Sequence, residues 1–146
     1  MRLSARVEYG VRAMLVLALH YQEGPISAKE IARREGISFQ FLEQIFPDLR
    51  RAGLIESVRG VKGGYMLSRP PQEVNVGDIV RAVEGPIVPM SCLHEDGGHK
   101  GSRACSRSQG CQTKQVWERL RDRINEVLDG VSLSDLMEWE PAQLLS

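Results

Sequence analysis

The sequence predicts a mainly α chain with one small β wing, and three observations predict it. Residues 13–19 are almost continuously apolar within a longer helical stretch. Leu42, Ile45, Phe46 and Leu49 recur at spacings of three, four and seven, the signature of one helix face. Two short strand-like runs flank the glycine-rich tip Arg59-Gly60-Val61-Lys62-Gly63-Gly64. The 146 residues, 42% of them apolar, supply one modest core and an appended element, and leave no chain for a large catalytic domain.

Taken in order, the first helix is expected over about residues 4–21, and its apolar run marks it as buried all round. Gly24 and Pro25 end it. Ser27 with Glu30 three residues on reads as a capping box opening a short helix to about Glu35. Gly36 supplies a sharp turn and Ser38 caps the helix that follows. Pro47 inside that helix removes a bond to the carbonyl of Glu43, so a kink rather than a break is expected. Gly53 ends the helix, and strands follow at about residues 54–58 and 65–67. From Thr113 to Asp129 the residues Val116, Trp117, Leu120, Ile124, Val127 and Leu128 form one stripe on a helix about 25 Å long. That stripe exceeds what a small domain covers, so a twofold partner helix is its expected cover, making this a dimerisation helix.

Two helices joined by a tight glycine turn are a helix-turn-helix, and a basic hairpin after them makes it a winged helix. With the apolar face of the second helix inward, Gln40, Glu43 and Gln44 face outward early, beside the capping Ser38, and suit base edges in a DNA major groove. Arg50 and Arg51 follow late and suit phosphates. Phe39 and Phe41 read as packing at the helix start. In the wing, Arg59 with Lys62, Gly63, Gly64 and Tyr65 is placed to meet a phosphate or the minor groove, Arg59 foremost. The net charge is zero but lopsided. Through Arg69 there are 11 Lys and Arg against 7 Asp and Glu, and after it 8 against 12. The first half is therefore the one expected to face polyanions. The opening MRLSARVEYG lacks a positive-then-apolar leader pattern, and the apolar run to Leu19 is too short to span a bilayer, so a cytoplasmic protein with no membrane partner is expected. The expected division is a DNA-binding domain over 1–85, a cysteine-rich loop over 86–112, and the dimerisation helix with the C-terminal segment over 113–146.

All three cysteines lie in SCLHEDGGHKGSRACSRSQGC, residues 91–111. Twelve residues separate Cys92 from Cys105 and five separate Cys105 from Cys111. An odd count in a reducing compartment does not build a disulfide framework, which leaves metal ligation or thiol chemistry. Thiolates are the usual ligands of iron–sulfur clusters, glycines let a loop wrap an inorganic core, and Lys100, Arg103 and Arg107 favour thiolate over thiol. A zinc set of the three cysteines with His94 or His99 is the alternative, as is direct sensing by the thiols. A cysteine nucleophile with a histidine base lacks any legible third group or substrate pocket, so an enzyme is not expected.

Residues 37–69, ISFQFLEQIFPDLRRAGLIESVRGVKGGYMLSR, with the opening MRLSARVEYGVRAML, closely resemble the IscR, NsrR and CymR family of bacterial winged-helix regulators, the Rrf-two family. The resemblance runs over nearly the whole chain, including Asn75-Val76-Gly77-Asp78-Ile79-Val80 as a further helix and the late VSLSDL. It implies a homodimeric transcription factor on a partly palindromic operator, often a repressor, with an iron–sulfur cluster of two or four irons often held by three cysteines of this loop. The first cysteine gap here is longer than the family's common one. Some members complete the cluster with a histidine three residues after the last cysteine, where this chain has Lys114, a poor ligand. Others use an acidic residue early in the first helix of the opposite subunit, which corresponds to Glu8. His94, His99 or a small exogenous molecule are the alternatives. The family also contains a cluster-free regulator controlled by a protein partner.

Overall fold

A computed structural model describes residues 3–90, 93 and 111–139. Along them run α1 (Ala5–Leu19), α2 (Ala28–Glu35), α3 (Phe39–Arg51), β1 (Ile55–Val58), β2 (Gly64–Leu67), a 3-10 turn (Pro71–Glu73), α4 (Val76–Glu84), α5 (Lys114–Asp129) and α6 (Leu133–Glu138).

The core forms around α1, which packs against α2, α3, α4, β2 and α6. Val7, Gly10, Ala13, Met14, Val16, Leu17 and Ala18 are buried on it. Burial is not complete all round, because Leu19 at its end is 54% exposed. Gly10 lets α1 lie close to its neighbours: a Cβ there would stand 3.6 Å from both Ile79 and Val83 of α4. Arg6 adds polar ties, donating to the carbonyl of Val83 at 3.3 Å and to the carboxylate of Asp48 on α3.

The hydroxyl of Ser27 accepts from the backbone N–H of Glu30 at 3.1 Å, one half of the expected capping box. The other half gives way to stronger partners, since Glu30 accepts from Arg33 at 3.0 Å and Arg34 at 2.9 Å, and charge-assisted bonds outcompete a backbone amide. Those bonds, Arg33 first, hold the Glu30 carboxyl down at about 2, below the usual carboxylate range. Gly36 takes φ 63, the left-handed conformation that turns the chain sharply from α2 into α3. Ser38 caps α3 by accepting from Phe41 N–H at 3.4 Å. Helix α3 runs unbroken through Pro47 and buries Leu42, Ile45, Phe46 and Leu49.

The wing pairs Ile55 with Leu67 through Val58 with Gly64, antiparallel, so β2 begins one residue earlier than the sequence pattern indicates. Gly64 is required there because a Cβ would strike the backbone of Ile26. Ile26 and Tyr65 exchange backbone bonds of 2.9 and 2.8 Å, which ties the wing to the segment ahead of α2. Beyond α5 the chain returns to this body. Val76 N–H donates to Val131 O and Leu133 N–H to Val74 O, both at 2.8 Å. Ser132 and Asp135 form a full capping box on α6, and Leu133 is wholly buried.

Candidate nucleic-acid interface

Burying Leu42, Ile45, Phe46 and Leu49 leaves the opposite face of α3 to solvent. Ser38, Gln40, Glu43, Gln44 and Arg50 are all exposed there, as is Pro47. Gln40, Gln44, Pro47 and Arg50 follow one another at intervals of three to four residues along one side of a helix of 13 residues, with Glu43 beside them and Ser38 just ahead as the N-cap. Arg51 is exposed too, but it donates to Asp48 at 3.2 Å, so part of its charge is already answered. Phe39 and Phe41 are half-buried against the core, Phe41 edge-on to Tyr9 at 5.2 Å, as their expected packing role requires.

In the wing, Arg59, Gly60, Val61 and Lys62 are exposed while Gly63, Gly64 and Tyr65 are half-buried. The last three have reasons within the fold. A Cβ at Gly63 would strike the carbonyl of Val58, Gly64 lies against Ile26, and the Tyr65 ring packs on Phe46 at 4.5 Å between centroids. Tyr65 is thus a strut between wing and recognition helix. The two elements border a groove of about 340 Å³, floored by Phe46, Pro47 and Tyr65 and flanked by Arg50 and Arg51. Pro47 as part of that groove was not foreseen; its position seven residues after Gln40, on the same outward face, was the available signal.

Of the thiol residues, Cys111 is half-buried just ahead of α5, with its Sγ 3.1 Å from the Thr113 hydroxyl. Cys92, Cys105, His94, His99, Lys100, Arg103 and Arg107 lie outside the described residues. Glu8 stands in the first turn of α1 with a side chain 65% exposed, 3.8 Å from Arg12. Arg12 in turn donates to the carbonyl and carboxylate of Glu35 at the end of α2. Among the described residues no three His, Cys, Asp or Glu side chains come together as a metal set. No helix among them is long and apolar enough to cross a membrane.

The stripe on α5 divides. Leu128 packs against the core and Trp117 and Ile124 are half-buried, whereas Val116, Leu120 and Val127 are exposed at 56%, 39% and 65%. None of the 16 residues of α5 is fully buried.

A recognition helix behind a glycine turn, joined to a basic two-stranded wing, defines a winged-helix DNA-binding regulator. Comparison with known proteins narrows the class. The model of the Rrf2 family, described as iron-dependent transcriptional regulators, matches residues 3–139, and the chain belongs to this family. It is 42% identical to the HTH-type transcriptional regulator IscR of Aliivibrio salmonicida, over 100% of this chain and 83% of that protein. Among solved structures it is similar to CymR, the global cysteine regulator of B. subtilis, with TM-score 0.78 and 37% identity over 97% of this chain and 99% of that one. It is likewise similar to T. potens IscR, with TM-score 0.75 and 41% identity over 100% and 93% of the two chains. The family and these relatives are transcriptional regulators, not enzymes.

Proposed function

We propose that this regulator acts in the cytoplasm as a homodimeric repressor on a partly palindromic DNA operator, with its affinity governed by an iron–sulfur cluster on Cys92, Cys105 and Cys111. The observation that carries the DNA half is the shared exposure of Ser38, Gln40, Glu43, Gln44, Arg50 and Arg51 on α3 and of Arg59 and Lys62 on the wing. Gln40, Glu43 and Gln44 read base edges, Glu43 by accepting from a cytosine amino group. Arg50, Arg51, Arg59 and Lys62 neutralise phosphates, with Gly63, Gly64 and Tyr65 shaping the wing that carries the last two. Arg59→Ala is expected to weaken binding to all sequences alike and to lower the salt dependence of log Kd by about one unit, because one phosphate contact is lost. Titration of labelled DNA at three salt concentrations measures both, and an unchanged slope would remove Arg59 from the interface.

The cluster reading rests on the donor set. Three thiolates in a glycine-rich loop with nearby cations fit such a cluster, and an exposed carboxylate at Glu8 fits the remaining position, with His94 and His99 as alternatives. When bound, the cluster supplies a redox- and nitric-oxide-reactive centre and a report on cluster supply. Glu8 reaches Arg12, and Arg12 reaches the end of α2 beside the turn into α3, so a change of partner at Glu8 is felt at the recognition helix. Anaerobic purification followed by a visible spectrum and iron, sulfide and zinc counts tests this. Brown protein with matching iron and sulfide is expected, and Glu8→Ala is expected to alter the spectrum. The similarity to CymR favours a second reading, a cluster-free or zinc-bound regulator acting through its thiols or a protein partner. Colourless protein that resists reconstitution would establish that reading in place of the first.

A further inference from the structure

The root of α5 is fastened to the winged body by polar contacts to α4. Arg81 on α4 donates from Nη1 to Asn125 Oδ1 at 2.9 Å and from Nη2 to the carboxylate of Asp129. Asp78 lies 3.6 Å from the same guanidinium. Asn125 is itself oriented, its Nδ2 donating to the carbonyl of Arg121 at 2.9 Å. Gly77, one turn before Arg81, is buried, and the Asp129 carboxylate occupies the space its Cβ would take. At the opposite end of α5, among the described residues, Val116 is 56% exposed. Helix α4, which receives the root, packs directly on the recognition helix α3.

A helix held at one end behaves as a lever. Over the roughly 24 Å length of α5, a tilt of about 10° at the root moves the far end by about 4 Å. That exceeds the rise of one DNA base pair, about 3.4 Å. We infer that Arg81, with Asn125, Asp129 and the glycine at 77, is a positioning device that fixes the angle between α5 and the recognition helix and so sets the half-site spacing the dimer accepts. The inference rests on the dimeric operator-binding reading and deepens it. The chemistry suits orientation: a planar guanidinium fork engages two acceptors four residues apart, on successive turns of α5, where a point charge would fix neither direction. It does not suit a large role in stability, since the side chains of Arg81 and Asp129 are 35% and 42% exposed and such pairs contribute little.

The test begins with an operator isolated by selection from random DNA with the wild-type protein. Variants of it with one or two base pairs added to or removed from the centre are then titrated against wild type, Arg81→Ala and Gly77→Ala. Gly77→Ala reaches the same contact from the other side, displacing Asp129 while adding a residue that favours helix. Both variants are expected to bind the selected operator about tenfold more weakly, within the usual range of coupling between sites, and to discriminate less among spacings. Their affinity for an isolated half-site and their sedimentation as dimers are expected to stay as in wild type. Variants that kept the wild-type spacing profile would overturn the inference and leave the dimer standing. A wild type that sedimented as a monomer and showed no spacing preference would overturn the dimeric reading and the inference together.

Discussion

Phe46→Ala is expected to destabilise the protein by about 3–5 kcal/mol, the usual loss for truncating a fully buried phenylalanine. Phe46 is wholly inaccessible and stands where three parts of the fold meet: α3 itself, the core around α1, and the wing through the ring of Tyr65. Against a typical domain stability of about 5–15 kcal/mol the loss is a large fraction. Urea denaturation should show the midpoint falling at nearly constant slope. Phe46→Leu keeps most of the volume and should cost less than about 1.5 kcal/mol if the site repacks. The functional consequence is separable. With its strut against Tyr65 gone, the wing is held by its register with β1 and its bridge to Ile26, so wing-dependent affinity should fall in the alanine variant even where the protein remains folded. An unfolding free energy within about 1 kcal/mol of wild type would mean that the site collapses around the cavity, contrary to close packing between helix and wing.

Much of this arrangement was legible because local rules and tertiary needs agree. At α3 the cap at Ser38, the left-handed Gly36 and the apolar spacing point the same way, and naming the inward residues names the outward ones as well. Where the reading went astray, a partner distant in sequence or a stronger local one decided the outcome. Glu30 had a backbone amide within reach but found two guanidiniums. Gly63, Gly64 and Tyr65, expected at the DNA surface, also carry an internal role that the sequence did not report, against Val58, Ile26 and Phe46 respectively. No periodicity in a single segment reports that Ile26 lies against the wing, or that Arg81 meets side chains 44 and 48 residues away. The thiol loop is the converse case. Its donors are legible by residue type alone, while of the three cysteines only Cys111 falls among the described residues.

Leu120→Glu is expected to dissociate the dimer and, with it, to lower operator affinity by about 100-fold or more, because a linked second half-site adds avidity of at least that order. Val116, Leu120 and Val127 fall at intervals of four and seven residues, so they share one helix face, and the described part of the chain leaves that face to solvent. In the proposed dimer a second copy would cover it symmetrically, and a carboxylate at the middle of that seam would meet its own twofold mate or an apolar surface without a partner. Within one chain the same carboxylate stays hydrated, since Leu120 is already 39% exposed, so the thermal stability of the winged body should change little. Half-site binding should likewise persist, for α3 and the wing are untouched. Sedimentation of wild type and variant at micromolar concentration, run beside titrations of operator and half-site, separates these effects. A variant that remained dimeric and kept its operator affinity would show that subunits meet elsewhere, and the exposed face of α5 would then need another occupant.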